Sequence, residues 1–136
     1  MAPRKSKPEE SLNLTNPILT EIQMGKFHIG VALFNDGKYW DAHEAWEEIW
    51  QELGNGSEND WEIILRGLIQ FAAGLYGCSS GKKTEGRGNL KKAAEKLNLF
   101  KEQFVTVDIE KIVLDINKKM NHPPSLLEYQ LPVKKN

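Results

Sequence analysis

Residues 34–50 constrain the fold more than any other part of this chain. Phe34 is followed by Asn35-Asp36-Gly37, then by Lys38-Tyr39-Trp40-Asp41-Ala42-His43-Glu44-Ala45-Trp46-Glu47-Glu48-Ile49-Trp50. Glycine adopts the left-handed conformation that stops a helix, so Asn35-Asp36-Gly37 reads as a helix end and tight turn. At about 100° per residue, Tyr39, Ala42, Trp46, Ile49, Trp50 and Leu53 then fall on one helical face, with Asp41, Glu44 and Glu48 away from it. The segment predicts a helical hairpin whose second arm, about residues 38–53, carries three of the four tryptophans.

The rest of the chain extends that pattern. Asn16-Pro17 offers an N-cap and a first-turn proline for the preceding helix, in which Ile18, Ile22, Ile29 and Leu33 are apolar and Gly25 is a potential interruption. After Gly54-Asn55-Gly56, Ser57 with Asp60 resembles a capping box for a third helix, about residues 57–78. Ile63, Ile64, Leu65, Leu68, Ile69, Phe71, Ala72, Ala73, Leu75 and Tyr76 surround that helix on nearly every side, which predicts a buried central element. The glycine- and lysine-rich stretch Ser79 to Gly88 reads as a flexible basic loop. A fourth helix is expected over about 89–104, with Leu90, Ala93, Ala94, Leu97 and Phe100 inward. A fifth is expected after Asp108, with Ile109, Ile112, Val113, Ile116 and Met120 at helical spacing, until Pro123-Pro124 bars it. No alternating strand pattern is present, and Val105-Thr106-Val107 is too short to build a sheet.

An internal repeat supports two hairpins. Gly37, Tyr39, Ala42, Trp46 and Ile49 match Gly88, Leu90, Ala93, Leu97 and Phe100 at a constant offset, since 88 minus 37 and 100 minus 49 both give 51. Gly30 to Phe34 also echoes Gly67 to Phe71. The spacing of Gly30, Leu33, Gly37, Tyr39, Ala42 and Trp46 is similar to the tetratricopeptide pattern. The expected fold is all-α: about five helices in two stacked, tetratricopeptide-like hairpins around a buried central helix. Residues 17–122 form the single domain, residues 1–16 a flexible N-terminal tail and residues 123–136 a C-terminal tail.

Composition narrows the function classes. The chain has 136 residues, enough for one core, with 40% hydrophobic and 27% charged residues. A formal net charge of -1 creates no global field for nucleic acid or an acidic membrane. Arg4, Lys5 and Lys7 lack the interleaved aromatics of a nucleic-acid arm. No apolar run approaches the roughly 20 residues of a membrane span, and no signal-peptide core follows the N-terminus. Cys78 is the only cysteine, which suits a reducing compartment. A cytoplasmic location is expected, with no nucleic-acid or membrane partner.

The candidate polar site is His43, Glu44, Glu47, Arg66 and Gln70. His43 and Glu47 are one turn apart, while Glu62, Arg66 and Gln70 recur every four residues on the central helix. If the two helices pack antiparallel, Arg66 or Gln70 can meet Glu47 or His43. The cluster is then either a ligand or acid/base site, or a satisfied network that fixes helix register. Trp40, Trp46, Trp50 and Tyr76 form an aromatic wall or interface, with Trp40 off the main apolar arc. His43-Glu44-Ala45-Trp46-Glu47 begins like the zinc-protease helix but lacks the second histidine, so no metal or other cofactor is expected. The glycines and basic residues of Ser79 to Gly88 match no phosphate-loop spacing. Cys78 has no base placed beside it and reads as packing.

Residues 34–50, with Leu65-Arg66-Gly67-Leu68-Ile69-Gln70-Phe71-Ala72-Ala73-Gly74-Leu75-Tyr76 and then Gly88-Asn89, Ala93 and Leu97, resemble the domain-of-unknown-function family 309 over roughly residues 24–104. The resemblance implies a small all-helical, tetratricopeptide-like bundle with no established reaction. His43, Glu44, Glu47, Trp50 and Gln70 match its signature positions. Many members carry a histidine just after the tyrosine equivalent to Tyr76, where this chain has Gly77. The expected function is a non-enzymatic protein-interaction or self-associating module, with no catalytic residue assigned. The alternative is an enzyme or small-ligand protein using His43 and Glu47.

Overall fold

A computed structural model describes residues 19–54, 60–100, 107–119, 122 and 126–133. Among them are five α-helices and no strand: α1 Glu21–Asn35, α2 Tyr39–Leu53, α3 Asp60–Ser79, α4 Lys83–Leu97 and α5 Ile109–Lys119, with a 3₁₀ turn at Asn98–Phe100. Each helix packs chiefly on its neighbours in sequence. The all-α expectation holds, and α3 is the central helix, flanked by α2 and α4 and buried along most of its length.

α1 starts at Thr20, whose hydroxyl accepts from the Gln23 N–H while the Gln23 side chain accepts from the Thr20 N–H. It runs unbroken through Gly25. The caps expected at Asn16-Pro17 and Ser57 lie outside the described residues. Trp46 is fully buried between Phe27 and Phe34, and its indole N–H donates to the Phe27 carbonyl at 3.1 Å. Gly30 admits this ring, because a Cβ there would stand 2.2 Å from the indole nitrogen.

The expected loop from Ser79 to Gly88 is mostly helix. Its turn is at Gly81, with φ +88°, and α4 begins at Lys83. Gly86 lies inside α4 because the helices are in contact there. A Cβ on Gly86 would stand 2.7 Å from Cys78 Sγ and 2.8 Å from the Gly74 carbonyl oxygen. The repeat therefore has a different register from the one the sequence suggests. The Lys38 N–H donates to Leu33 O at 2.9 Å past Gly37, and the Lys82 N–H donates to Gly77 O at 2.8 Å past Gly81. Gly30 lies under Trp46 as Gly74 lies under Leu90. Here 81 minus 37, 74 minus 30 and 90 minus 46 all give 44, compared with a period of about 34 in tetratricopeptide repeats.

Residues 126–133, expected as tail, are docked. Leu126 and Leu131 are buried, and Tyr129 packs on Phe71 and Phe34. The Glu128 N–H donates to the Tyr39 hydroxyl at 2.9 Å, and the Leu131 N–H to Asn35 Oδ1 at 2.7 Å. Val133 bridges Val107 in antiparallel fashion. The docked segment closes the end of the first hairpin.

Candidate functional site

Helices α2 and α3 run antiparallel: Trp50 meets Glu62 and Arg66 at one end, and Trp40 meets Tyr76 at the other. Their shared outer edge forms a groove. Its deepest fixed point is Glu62, a glutamate with no solvent exposure. The Trp50 indole N–H donates to the Glu62 carboxylate at 2.6 Å, and the Arg66 guanidinium pairs with the same oxygen from one turn along α3. A buried carboxylate needs such donors, and a cation beside it offsets its desolvation. The guanidinium carbon also lies 5.9 Å from the Trp50 ring centroid, in cation–π range. Lys96 sits close enough to feel the pair. Burial first, then the Arg66 and Lys92 charges, lower its pKa.

Beside this pair is an open cleft of about 430 Å³ lined by Glu47, Trp50, Arg66, Ile69 and Gln70. Three of the expected polar residues thus share one cavity. Glu47 does not meet Arg66 in an ion pair, because Arg66 is committed to Glu62. No ion pair to Glu47 is present among the described residues. Arg66 Nε and Gln70 Oε1 are buried atoms without a hydrogen-bond partner there.

Farther along, His43 stacks on Trp40 with centroids 4.6 Å apart and planes 17° apart, and Trp40 leans on Tyr76 at 5.2 Å. His43 Nδ1 is likewise buried without a partner. Trp40 and Tyr76 are 45% and 43% exposed, large values for aromatic rings beside unsatisfied polar atoms. Of the expected residues, Glu47, Trp50, Arg66 and Gln70 line the cleft, whereas His43, Trp40 and Tyr76 form the separate aromatic stack. Glu44 is exposed on α2, and Trp46 is core on the opposite side.

The family comparison agrees with the residues that carry the hairpin. Residues 27–89 match the model described as Domain of unknown function (DUF309). This segment belongs to that family. The matched span of the DUF309 domain covers α1, α2, α3 and the start of α4, and so includes both walls of the groove. Among curated proteins, no match is found. The residue that sequence reasoning left off its candidate list is Glu62. Its i,i+4 spacing from Arg66 was the available signal.

Several other features are structural. Cys78 is a buried free thiol against Gly86, and burial pushes its pKa up despite the nearby Arg87 and Lys83 charges. Among the described residues, no group of three His, Cys, Asp or Glu side chains is placed to hold a metal ion. None of the described helices is long and apolar enough to cross a membrane.

Proposed function

We propose that this chain is a non-enzymatic binding module whose recognition surface is the α2–α3 groove. One observation carries the reading. His43 Nδ1, Arg66 Nε and Gln70 Oε1 are buried without partners on the two helices that form the groove, beside half-exposed Trp40 and Tyr76. Buried polar atoms are normally satisfied, so side chains that each keep one unpaired along the same two helices are suited to a partner that completes the bonding. The exposed aromatics supply contact area of the kind enriched at interfaces. The residues of the polar site act here as contacts, with no reaction assigned to them.

The test places photoreactive benzoylphenylalanine at position 40 in the cell of origin. Adducts to a protein are expected, with yields that fall when Glu47→Gln and Gln70→Leu are combined. Native mass spectrometry separates the alternative, an enzyme or small-ligand protein using His43 and Glu47. A stoichiometric co-purifying small molecule, lost on His43→Ala, would replace the protein-binding reading.

A second reading, self-association, is favoured by α1. Its core face presents Phe27, Gly30 and Phe34, yet Ile22 and Ile29 on the outside are 75% and 57% exposed, with Gly25 and Ala32 between and beyond them. A helix apolar on both sides is suited to burial on both. Sedimentation is expected to show a dimer that Ile29→Glu converts to monomer. A wild-type monomer at all concentrations would remove this second reading and leave the groove untouched.

A further inference from the structure

Taking the α2–α3 groove as the recognition surface, the geometry points to an extended peptide with a lysine or arginine side chain as its occupant. Arg66 Nε–H is an unpaired donor and Gln70 Oε1 an unpaired acceptor, on two side chains that line the cleft four residues apart, about 6 Å along the axis. Their occupant must present an acceptor and a donor at similar spacing. An extended backbone offers both kinds of group along one edge, where the N–H and carbonyl of alternate residues point the same way and the pairs recur about every 6.8 Å. A simple anion would satisfy Arg66 and leave Gln70 open. A simple amine would do the reverse.

The charge of the cleft selects the side chain. The Arg66 guanidinium is already matched by the buried Glu62 carboxylate. Glu47 has no ion pair among the described residues and lines the same cleft. Of the residues that line the cleft, Glu47 is therefore the uncompensated charge, and it stands beside the Trp50 and Ile69 side chains. A lysine or arginine lays its alkyl stem on that apolar lining and brings its cation to Glu47, within reach of an aromatic face. The cleft is of the size that holds a few ligand groups and stays open at its side.

Panning a phage-displayed random heptapeptide library against the full chain tests this. Selected peptides are expected to carry Lys or Arg at one fixed position and to shift the tryptophan fluorescence. Glu47→Gln should weaken the selected peptide about tenfold, the size expected for loss of a partly buried charge contact. Norleucine in place of the basic residue should do the same, and the Glu47→Gln chain should no longer distinguish the two peptides. Gln70→Leu should weaken the parent peptide but not one N-methylated at the amide that donates to Gln70. Circular dichroism verifies that each variant is folded. No enrichment, enrichment without a basic position, unchanged affinity in both variants, or equal affinity for free lysine amide would each overturn the peptide assignment. Cross-linking from position 40 keeps the two readings apart. Protein adducts with no peptide selected leave the binding module standing without this occupant, whereas no adducts remove both.

Discussion

The indole of Trp50 and the carboxylate of Glu62 are joined across the α2–α3 interface by a 2.6 Å hydrogen bond, and that carboxylate is fully buried. Arg66, itself partly exposed, is its ion-pair partner one turn along α3, and Lys96 is near enough to feel its charge. Removing Arg66 takes the paired cation from a buried charge, whereas removing the charge leaves a guanidinium able to reach water. Arg66→Met should therefore destabilise the fold by about 3 kcal/mol in urea titrations. Adding Glu62→Gln should recover much of that loss. Additive losses in the double variant would mean that the pair is not coupled. Trp50→Phe, which keeps the ring and deletes the donor, should cost about 1–2 kcal/mol.

The docked C-terminal segment makes stability depend on pH through Asp115 and Tyr129. Burial pushes the Asp115 carboxyl up. The Tyr129 hydroxyl at 2.6 Å and the Lys111 ammonium at 3.0 Å outweigh it and hold the pKa below the usual 3.8. A depressed acid pKa contributes stability above the unfolded value, and this is lost as pH falls through the folded one. Burial and the Asp115 carboxylate push the Tyr129 hydroxyl upward from 10.0, so its contribution is full below that value and is lost at more alkaline pH. Melting temperatures should decline below about pH 4 and above about pH 10. Asp115→Asn should lower stability at neutral pH and flatten the acid limb. An unchanged acid limb in that variant would assign the acid loss to other carboxylates.

Leu126 tests whether that segment belongs to the core. It is fully buried although it follows Pro123-Pro124, where the helical pattern ends. Leu126→Ala should cost about 2–5 kcal/mol, as for a core leucine. A cost near zero would show that the segment is dispensable for folding.

The first hairpin was legible because its signals agree. Gly37 has φ +79° as a helix-stopping turn, and the apolar period from Tyr39 to Leu53 sets the buried face. The α3 helix was legible because residues exposed to water are few along it. The second hairpin was misread by register, because glycine has two uses that look alike in sequence. At Gly81 it turns the chain, and at Gly86 it lets two helix backbones touch. Only the partner helix distinguishes them. The docking of residues 126–133 was hidden for a similar reason. Its anchors Tyr39 and Asn35 lie 89 and 96 positions away, beyond any local pattern. For the groove, i,i+4 spacing puts Arg66 and Gln70 on one face of α3, and both line the cleft. It could not show that Glu62, rather than Glu47, takes the guanidinium, because that depends on which carboxylate faces inward.

The two uses of glycine predict opposite effects from the same substitution within one helix. Alanine in place of glycine in a helix normally stabilises by about 0.5–1 kcal/mol. At Gly88 an added Cβ meets nothing within 4 Å, so Gly88→Ala should raise stability by about that amount. At Gly86 the Cβ would collide with Cys78 Sγ and with the Gly74 carbonyl, whose backbone cannot turn aside as a flexible side chain does. Overpacking of a close helix contact costs about 1–3 kcal/mol, more than the helical gain, so Gly86→Ala should be destabilising. Urea denaturation of the two variants gives the comparison directly. Equal and favourable shifts would show that α3 and α4 do not approach this closely. A loss at Gly86 with a gain at Gly88 would place the turn of the second hairpin at Gly81 and the tight crossing at Gly86.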